Sequence, residues 1–321
     1  MIHTINFTTP AGEYSIANSW EALSPEGFIG ICADLSRMAK GQTSVMEIRA
    51  RHVCRSVGLD PEKLSDPAAF ENLSLLAEQV DFIFSIMYPD NNSALSLVDP
   101  MDRPFYLKTP PHRIPGPMGA YLSRLNYHYV LDAVFCRQLL PVVTVKDRSY
   151  SGYRIDTSYD TLTCSLTALQ YLEARANRNH LPLMAAILYC PEPYESEKAH
   201  SLSSQFSELH EDTLDAIALN FQSFDNFLFS RTPFSLLTAG SSTPESKAIT
   251  TGALESLYDL SSDGYGDIGT VESMNIVKYL TILRKKLIEA VRAMHRAKME
   301  IIKIHQETDL PIGIINKILL P

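Results

Sequence analysis

The sequence predicts a mainly α-helical protein, a multi-helix bundle with a small N-terminal β-hairpin and a long, heptad-patterned C-terminal helix. Three observations support this fold class. Apolar residues recur at helical spacing through most of the 321 residues, and strict alternation of polar and apolar residues is largely confined to the first 17. In addition, residues 276–304 carry four unbroken heptads.

The N-terminal hairpin is predicted from two alternating runs around a turn. His3–Phe7 and Glu13–Ile16 alternate polar and apolar residues, and Pro10–Gly12 separates them. Helical spacing begins after Ser24–Glu26, where a hydroxyl, a proline and an acid form a strong helix start. A short strand is predicted over Pro141–Val145. Further helices are predicted over 43–57, 67–86, 118–140, 163–177, 181–189, 197–208, 212–229, 252–259, 271–307 and 312–320.

Two segments divide the predicted helices into regions. Six prolines between residues 100 and 117 predict an extended loop, because proline is excluded from helix interiors and central strands. Residues 231–250 are rich in Ser, Thr, Gly and Pro, which is typical of a linker. The predicted organisation is an N-terminal hairpin plus helices (1–99), a Pro-rich loop (100–117), a central helical region (118–230), a linker (231–250), and a long helix with an apolar tail helix (251–321).

Composition indicates a globular protein rather than a disordered or nucleic-acid-binding one. Hydrophobic residues make up 45% of the chain, and the net charge of −9 disfavours binding to phosphate backbones. Five widely spaced cysteines without a CxxC motif predict reduced thiols. The N-terminus has neither the basic nor the apolar region of a signal peptide, and no apolar window is long enough to span a membrane. We therefore expect a cytoplasmic protein.

The heptad stripe predicts a contact surface on the long helix. Between residues 284 and 303, seven basic residues stand against two acidic ones. Either the stripe packs on its own domain, or it mediates self-association or partner binding; a nucleic-acid role is disfavoured because the chain is acidic. Ala290 and Ala297 complete the stripe. The candidate contact residues on this stripe and the tail helix are Ile276, Leu280, Leu283, Leu287, Met294, Ile301, Ile304, Ile312, Ile315 and Leu319.

The segment from Asp259 to Thr270 imitates two ligand-binding motifs. Gly264–Gly269 is a literal GxGxxG, but the preceding residues are helical, whereas a dinucleotide site needs a strand there. Asp259, Asp263 and Asp267 stand at calcium-loop positions, yet Thr270 occupies the position of the bidentate carboxylate. A helix–helix turn with capping aspartates is the favoured interpretation, and a weak divalent-ion site is the alternative.

No catalytic motif appears in the sequence, and no metal-ligand or cofactor motif is complete. This favours a non-enzymatic assembly or interaction protein that contacts a protein partner, or itself, through the C-terminal helix. The alternative is an enzyme whose site borders the Pro-rich loop. Its polar groups would be Asp102, Arg103, His112 and Arg113.

Several short motifs together resemble a group of helical proteins encoded in Bacteroidales-type phages and prophages. The motifs are Trp20–Ser24, Leu162–Thr163, Ala185–Pro191 followed by Tyr194, and Leu257–Leu260 leading into Gly264–Asp267. Some members of that group look like tail assembly chaperones. The resemblance implies a binding role in virion assembly, in the host cytoplasm or the virion, with no catalytic residues to carry over.

Overall fold

The chain is mainly helical and forms two compact units, Met1–Phe135 and Cys136–Pro321. These units are called unit 1 and unit 2 below. The described residues contain fourteen α-helices and eight short strands, and the strands form four antiparallel pairs. A computed structural model describes residues 3–9, 12–60, 66–89, 93–239 and 254–320.

Unit 1 combines two strand pairs with five helices. Strand β1 pairs with β2 and β3 pairs with β4, so the predicted N-terminal hairpin is confirmed; its turn residues 10–11 lie outside the described residues. The elements in chain order are β1 (Thr4–Thr9), β2 (Gly12–Ala17), α1 (Pro25–Ala39), α2 (Val45–Val57), α3 (Pro67–Gln79), β3 (Phe84–Met87), α4 (Arg103–Lys108), α5 (Gly116–Leu122) and β4 (His128–Leu131).

The helix starts of unit 1 follow local capping chemistry. The Ser24 hydroxyl accepts a hydrogen bond from the Gly27 amide at the start of α1. In α2, Ser44 and Glu47 cap each other's backbone amides in a reciprocal capping box. Each cap satisfies an amide that has no partner within its helix, which is why these starts can be read from the sequence.

Aromatic rings form the core of unit 1 around Trp20. Its ring stacks on Phe135 at 5.4 Å and meets the rings of Phe28 and Phe82 edge-on. The buried indole N–H donates to the main-chain oxygen of Asp132 over 2.7 Å. The indole is therefore buried with its one polar group satisfied.

The structure corrects three predictions between residues 67 and 140. The helix predicted over 67–86 ends at Gln79, and the helix predicted over 118–140 ends at Leu122. The residues that follow instead pair as β3 and β4, because aromatic and β-branched side chains favour a strand when a partner strand is present. The Pro-rich segment 100–117 is not extended: prolines stand in the first turns of α4 and α5, where no amide is required.

Unit 2 holds the remaining strands and helices. The strand predicted over Pro141–Val145 is confirmed as β5, which pairs with β6 in a second hairpin. The elements in chain order are β5 (Val142–Val145), β6 (Arg148–Ser151), β7 (Ile155–Asp156), β8 (Thr163–Cys164), α6 (Ala168–Ala176), α7 (Leu181–Leu188), α8 (Ser196–Phe206), α9 (Glu211–Arg231), α10 (Glu255–Ser262), α11 (Ile268–Glu272), α12 (Ile276–Arg296), α13 (Ile301–Thr308) and α14 (Ile312–Leu319).

Two buried polar side chains position the hairpin of unit 2. Asn220 of α9 accepts a hydrogen bond from the Leu139 amide over 2.7 Å and donates to the Arg137 oxygen over 2.8 Å. The Tyr189 hydroxyl donates to the Leu140 oxygen over 2.6 Å. These bonds hold the chain immediately before β5 against the helical core of the unit.

The prediction of one continuous helix over 271–307 is wrong. Helix α12 ends at Arg296, and α13 begins at Ile301. Lys298 adopts a left-handed φ of 61°, and the Met299 amide bonds back to the Met294 oxygen over 3.1 Å. This geometry is a Schellman helix end, which usually has glycine at the left-handed position, so the sequence carried no signal for it.

Two further sequence expectations concern the linker and the membrane. The predicted linker 231–250 contains a 3₁₀ turn, Pro233–Thr238, and lies outside the described residues beyond position 239. Within the described ranges, none of the helices combines the length and the apolar character needed to cross a bilayer.

Candidate functional site

The ten residues predicted as a contact surface largely pack within unit 2 itself. Five of the ten are partly buried (Leu283, Leu287, Met294, Ile301 and Leu319), and Ile312 is 44% exposed. The remaining four are buried: Ile276, Leu280, Ile304 and Ile315.

A small apolar core accounts for the burial of six of the ten residues, which are Leu287, Met294, Ile301, Ile304, Ile315 and Leu319. Val291 of α12, Ile304 of α13 and Ile315 of α14 pack together with Leu310, so the three C-terminal helices cover one another's apolar faces. The chain turns back twice after α12, and the turn at Lys298 makes the first reversal. The stripe therefore mainly serves intramolecular packing, which is the first of the two interpretations of the heptad pattern.

The polar side chains of the enzymatic alternative bond to separate local partners. Arg103 donates to the main-chain oxygen of Val98 over 3.2 Å, and Arg113 forms an ion pair with Glu78. The four residues of this alternative are Asp102, Arg103, His112 and Arg113. Within the described part of the chain, no hydrogen bond or ion pair joins any two of them.

The aspartates of the glycine turn also have structural partners. Asp267 accepts a hydrogen bond from the Thr270 amide at the start of α11. Hydrogen bonding with the Thr270 side chain, and then with this amide, lowers the pKa of the Asp267 carboxyl. Asp263 forms an ion pair with Lys286 of α12. The turn between α10 and α11 thus follows the helix–helix interpretation, and among the described residues no three His, Cys, Asp or Glu side chains converge at metal-binding distance.

A cavity of about 660 Å³ in unit 2 is a candidate site. We call it the β6 groove. One wall is the continuous stretch Arg148–Arg154, and the other is Leu188–Glu192 with Lys198 and Leu202 of α8. Ser165 and Gln170 complete the lining. A second cavity of about 720 Å³ shares five of these residues and continues toward α11.

The groove lies along the edge of β6 that faces away from β5. A cavity over one face of a hairpin would touch alternate residues of both strands, because successive side chains point to opposite faces. Here all seven residues of Arg148–Arg154 line the cavity, and none of Val142–Val145 does. The cavity therefore follows an edge rather than a face.

The alternation of hydrogen-bonded and non-hydrogen-bonded pairs in the hairpin leaves free main-chain groups along this edge. The Gly152 amide donates to the Pro141 oxygen over 2.9 Å, and pairing alternates from there along the ladder. Ser149 and Ser151 consequently occupy non-hydrogen-bonded positions, so their N–H and C=O groups point away from β5. No described residue outside the hairpin forms a hydrogen bond with these groups.

Gly152 allows the wall of the groove to pack closely. A Cβ atom at this position would lie 2.9 Å from Cε1 of Tyr189 and 3.0 Å from Nε2 of Gln138. The backbone after β6 can therefore approach the Tyr189 ring only because residue 152 has no side chain.

Three cations and one carboxylate line the groove. Arg154 pairs with Glu192 over 3.1 Å, with both side chains at least 70% exposed. Arg148 and Lys198 form no ion pair among the described residues. The groove is therefore locally positive in a chain of net charge −9.

Two buried groups of the groove limit its chemistry. Burial raises the pKa of the Cys190 thiol, so the nucleophilic thiolate is disfavoured at neutral pH. Burial raises the pKa of Tyr153 well above its usual value, so the phenol stays protonated. Its hydroxyl has no hydrogen-bond partner within the described residues. The groove thus presents donors and cations rather than an activated nucleophile.

Sequence reasoning did not find this site. Alternation predicted β5, but the two-residue loop after it, Lys146–Asp147, lacks the glycine or asparagine that usually signals a hairpin. Lys146 nevertheless adopts a left-handed φ of 53°. The only earlier signal was the motif Ala185–Pro191 followed by Tyr194, part of which lies on the opposite wall of the groove.

The relation of this chain to known proteins rests on its sequence motifs alone. The resemblance to phage and prophage proteins therefore stays a prediction, and no function is transferred from a relative. Comparison with protein-family models, with curated proteins and with solved structures found no match to the chain.

Proposed function

We propose that this chain is a non-enzymatic interaction protein that binds an extended segment of a partner protein in the β6 groove by strand addition. The observation that carries the proposal is the open edge of β6 beside a cavity. Unpaired strand edges readily pair with another chain, and natural proteins usually cover or blunt them. In this mode, main-chain hydrogen bonds provide affinity and adjacent side-chain contacts provide specificity.

The dimensions of the groove suit such a ligand. The four residues of β6 at about 3.3 Å each give a short edge of roughly 13 Å, on which Ser149 and Ser151 present the open main-chain groups. On the opposite wall, Pro191 and Glu192 are exposed and supply side chains against which a bound strand would pack. A binding role in phage or prophage virion assembly is the finer form of this proposal, and it rests on the resemblance in the sequence.

The main test is selection of peptides of about ten residues, long enough to form a strand. A displayed random library is panned against the full chain, and the affinities of the selected peptides are measured by fluorescence anisotropy. We expect sequences that bind with micromolar dissociation constants. Failure to select any such peptide would contradict the proposed function.

A pair of proline variants tests the binding edge. Ser151→Pro removes an amide from the open edge of β6, whereas Thr144→Pro removes one from the outer edge of β5 in the same hairpin. We expect Ser151→Pro to abolish binding and Thr144→Pro to leave it unchanged. Circular dichroism spectra that match the wild type would show that both variants remain folded.

Peptide chemistry supplies a test that needs no variant. Methylating alternate amides of a selected peptide removes the donors that strand addition would use, while methylating the other amides does not. We expect only one of the two alternately methylated peptides to lose binding. Equal binding of both methylated forms would exclude strand addition.

A further inference from the structure

We infer that the segment bound in the β6 groove is acidic, with carboxylate side chains that pair with the cations of the groove. This inference rests on the proposed function and adds the chemistry of the ligand. The observation behind it is a local reversal of charge. Arg148, Arg154 and Lys198 line the groove against the single carboxylate of Glu192, although the chain as a whole carries a net charge of −9.

Two of these cations are available to a ligand. Arg148 at the start of β6 and Lys198 of α8 are exposed, and neither forms an ion pair with any of the described residues. They lie on opposite walls of the same groove. Lys198, in the first turn of α8, lies near Cys190, whereas Arg148 begins β6, so a bound strand would meet the two cations at separate points.

The third cation, Arg154, is paired with Glu192 in an ion pair that a ligand carboxylate can replace. Arg154 is 75% exposed and Glu192 is 70% exposed, and exposed ion pairs contribute little to stability. A carboxylate of the ligand would exchange one such pair for another, and Glu192 would be released to solvent. Glu192 thus acts as a competitor for the ligand at the far end of the stretch Arg148–Arg154.

The charge preference is confined to the β6 side of the site. The adjoining cavity toward α11 includes Glu272, and its only basic lining residue is Arg154, which both cavities share. Carboxylates are therefore expected along Arg148–Arg154, and uncharged residues beyond it. A ligand with this pattern would bind in one direction only.

Two matched peptides test the inference. One alternates threonine and glutamate over about ten residues, and the other alternates threonine and glutamine, which differs in charge but hardly in shape. We expect the acidic peptide to bind about tenfold more tightly at low salt, and the difference to shrink as salt screens the charges.

Three variants assign the preference to the groove. Arg148→Ala together with Lys198→Ala should reduce the difference between the two peptides to about twofold or less. Glu192→Gln should tighten binding of the acidic peptide by removing its competitor. Lys303→Ala, which removes a charge from α13 outside the groove, should change neither affinity.

The outcomes separate the inference from the proposed function. If both peptides bind equally and both are lost with Ser151→Pro, the acidic preference is wrong and strand addition stands. If the preference persists in the double variant of Arg148 and Lys198, and also when Arg154→Ala is added to it, the cations of the groove do not cause it and the inference is wrong. If neither these peptides nor library peptides bind, both proposals fail.

Discussion

The β1–β2 hairpin of unit 1 and the β5–β6 hairpin of unit 2 border cavities of similar size in different ways. In unit 1, a cavity of about 530 Å³ touches both strands, including the stacked rings of Phe7 in β1 and Tyr14 in β2. In unit 2, the cavity touches β6 and none of β5. The first cavity is therefore lined by both strands of its hairpin, and the second follows the edge of one strand.

This difference decides what each cavity can bind. The lining of the first cavity contains no Asp, Glu, Lys or Arg, so a ligand there meets mainly apolar and uncharged side chains. Along an open edge, a ligand also meets main-chain donors and acceptors, which can pair with any extended backbone. The two cavities are similar in volume. They differ because the cavity beside β6 borders main-chain groups that point away from β5.

The largest effect that we expect is the loss of stability on removing the Asn220 side chain, which holds the chain before β5. Asn220→Ala removes the partner of the buried Leu139 amide, at a cost of about 1–3 kcal/mol, and also removes the hydrogen bond to the Arg137 oxygen. We expect hydrogen exchange to accelerate through β5 and β6 and not through β1 and β2. The control Asn226→Ala, at an exposed position of the same helix, should cost less than about 0.5 kcal/mol. Equal losses in both variants would contradict this role of Asn220.

The next effect is a pH dependence confined to unit 1. His52 is buried, and its Nε2–H donates to the Ala17 oxygen at the end of β2 over 2.8 Å. Burial lowers its pKa below the value of about 6.5 in the unfolded chain. The unfolded state therefore binds the proton more readily, so stability is present above about pH 6.5 and is lost as the pH falls toward the lowered pKa.

Urea unfolding of the wild type and of His52→Gln across this pH range checks the prediction. Glutamine keeps a neutral donor but cannot gain a proton, so the variant should lose less stability on acidification. Hydrogen exchange in β1 and β2 should follow the same trend. An unchanged pH dependence in the variant would exclude His52 as its source.

A smaller effect concerns the helix end at Lys298. Because this residue has a left-handed φ, Lys298→Gly should stabilise the protein by about 0.5–1 kcal/mol. Lys303→Gly, within α13, should instead destabilise it by about 1 kcal/mol. Thermal unfolding compares the two variants. Destabilisation by both would indicate that the helix continues through residue 298.

The smallest expected effect is at Tyr153 of the β6 groove. Its hydroxyl is buried without a partner in the described residues, so Tyr153→Phe should be neutral or stabilising by less than about 1 kcal/mol. Tyr189→Phe, which leaves the Leu140 oxygen unpaired, should cost about 1–2 kcal/mol. Urea midpoints of the two variants measure the contrast. A comparable cost at Tyr153 would mean that its hydroxyl has a partner.

Local chemistry made part of this fold predictable. The capping box of Ser44 and Glu47 and the alternation of His3–Phe7 act between residues that are close in the chain. The strand at Phe84–Met87 was missed because it depends on pairing with His128–Leu131, more than forty residues away. Apolar spacing predicted that the stripe from Ile276 would be covered, but not by which element.

The sequence by itself determined the helical class, the first hairpin and most helix starts, because caps and periodicity act over a few residues. Tertiary structure decided the turn at Lys298, the packing of the C-terminal part of the heptad stripe with α13 and α14, and the open edge of β6. The last of these cannot be read from a strand's own residues. An edge is open only where every other segment of the fold packs elsewhere, and long-range contacts alone settle that.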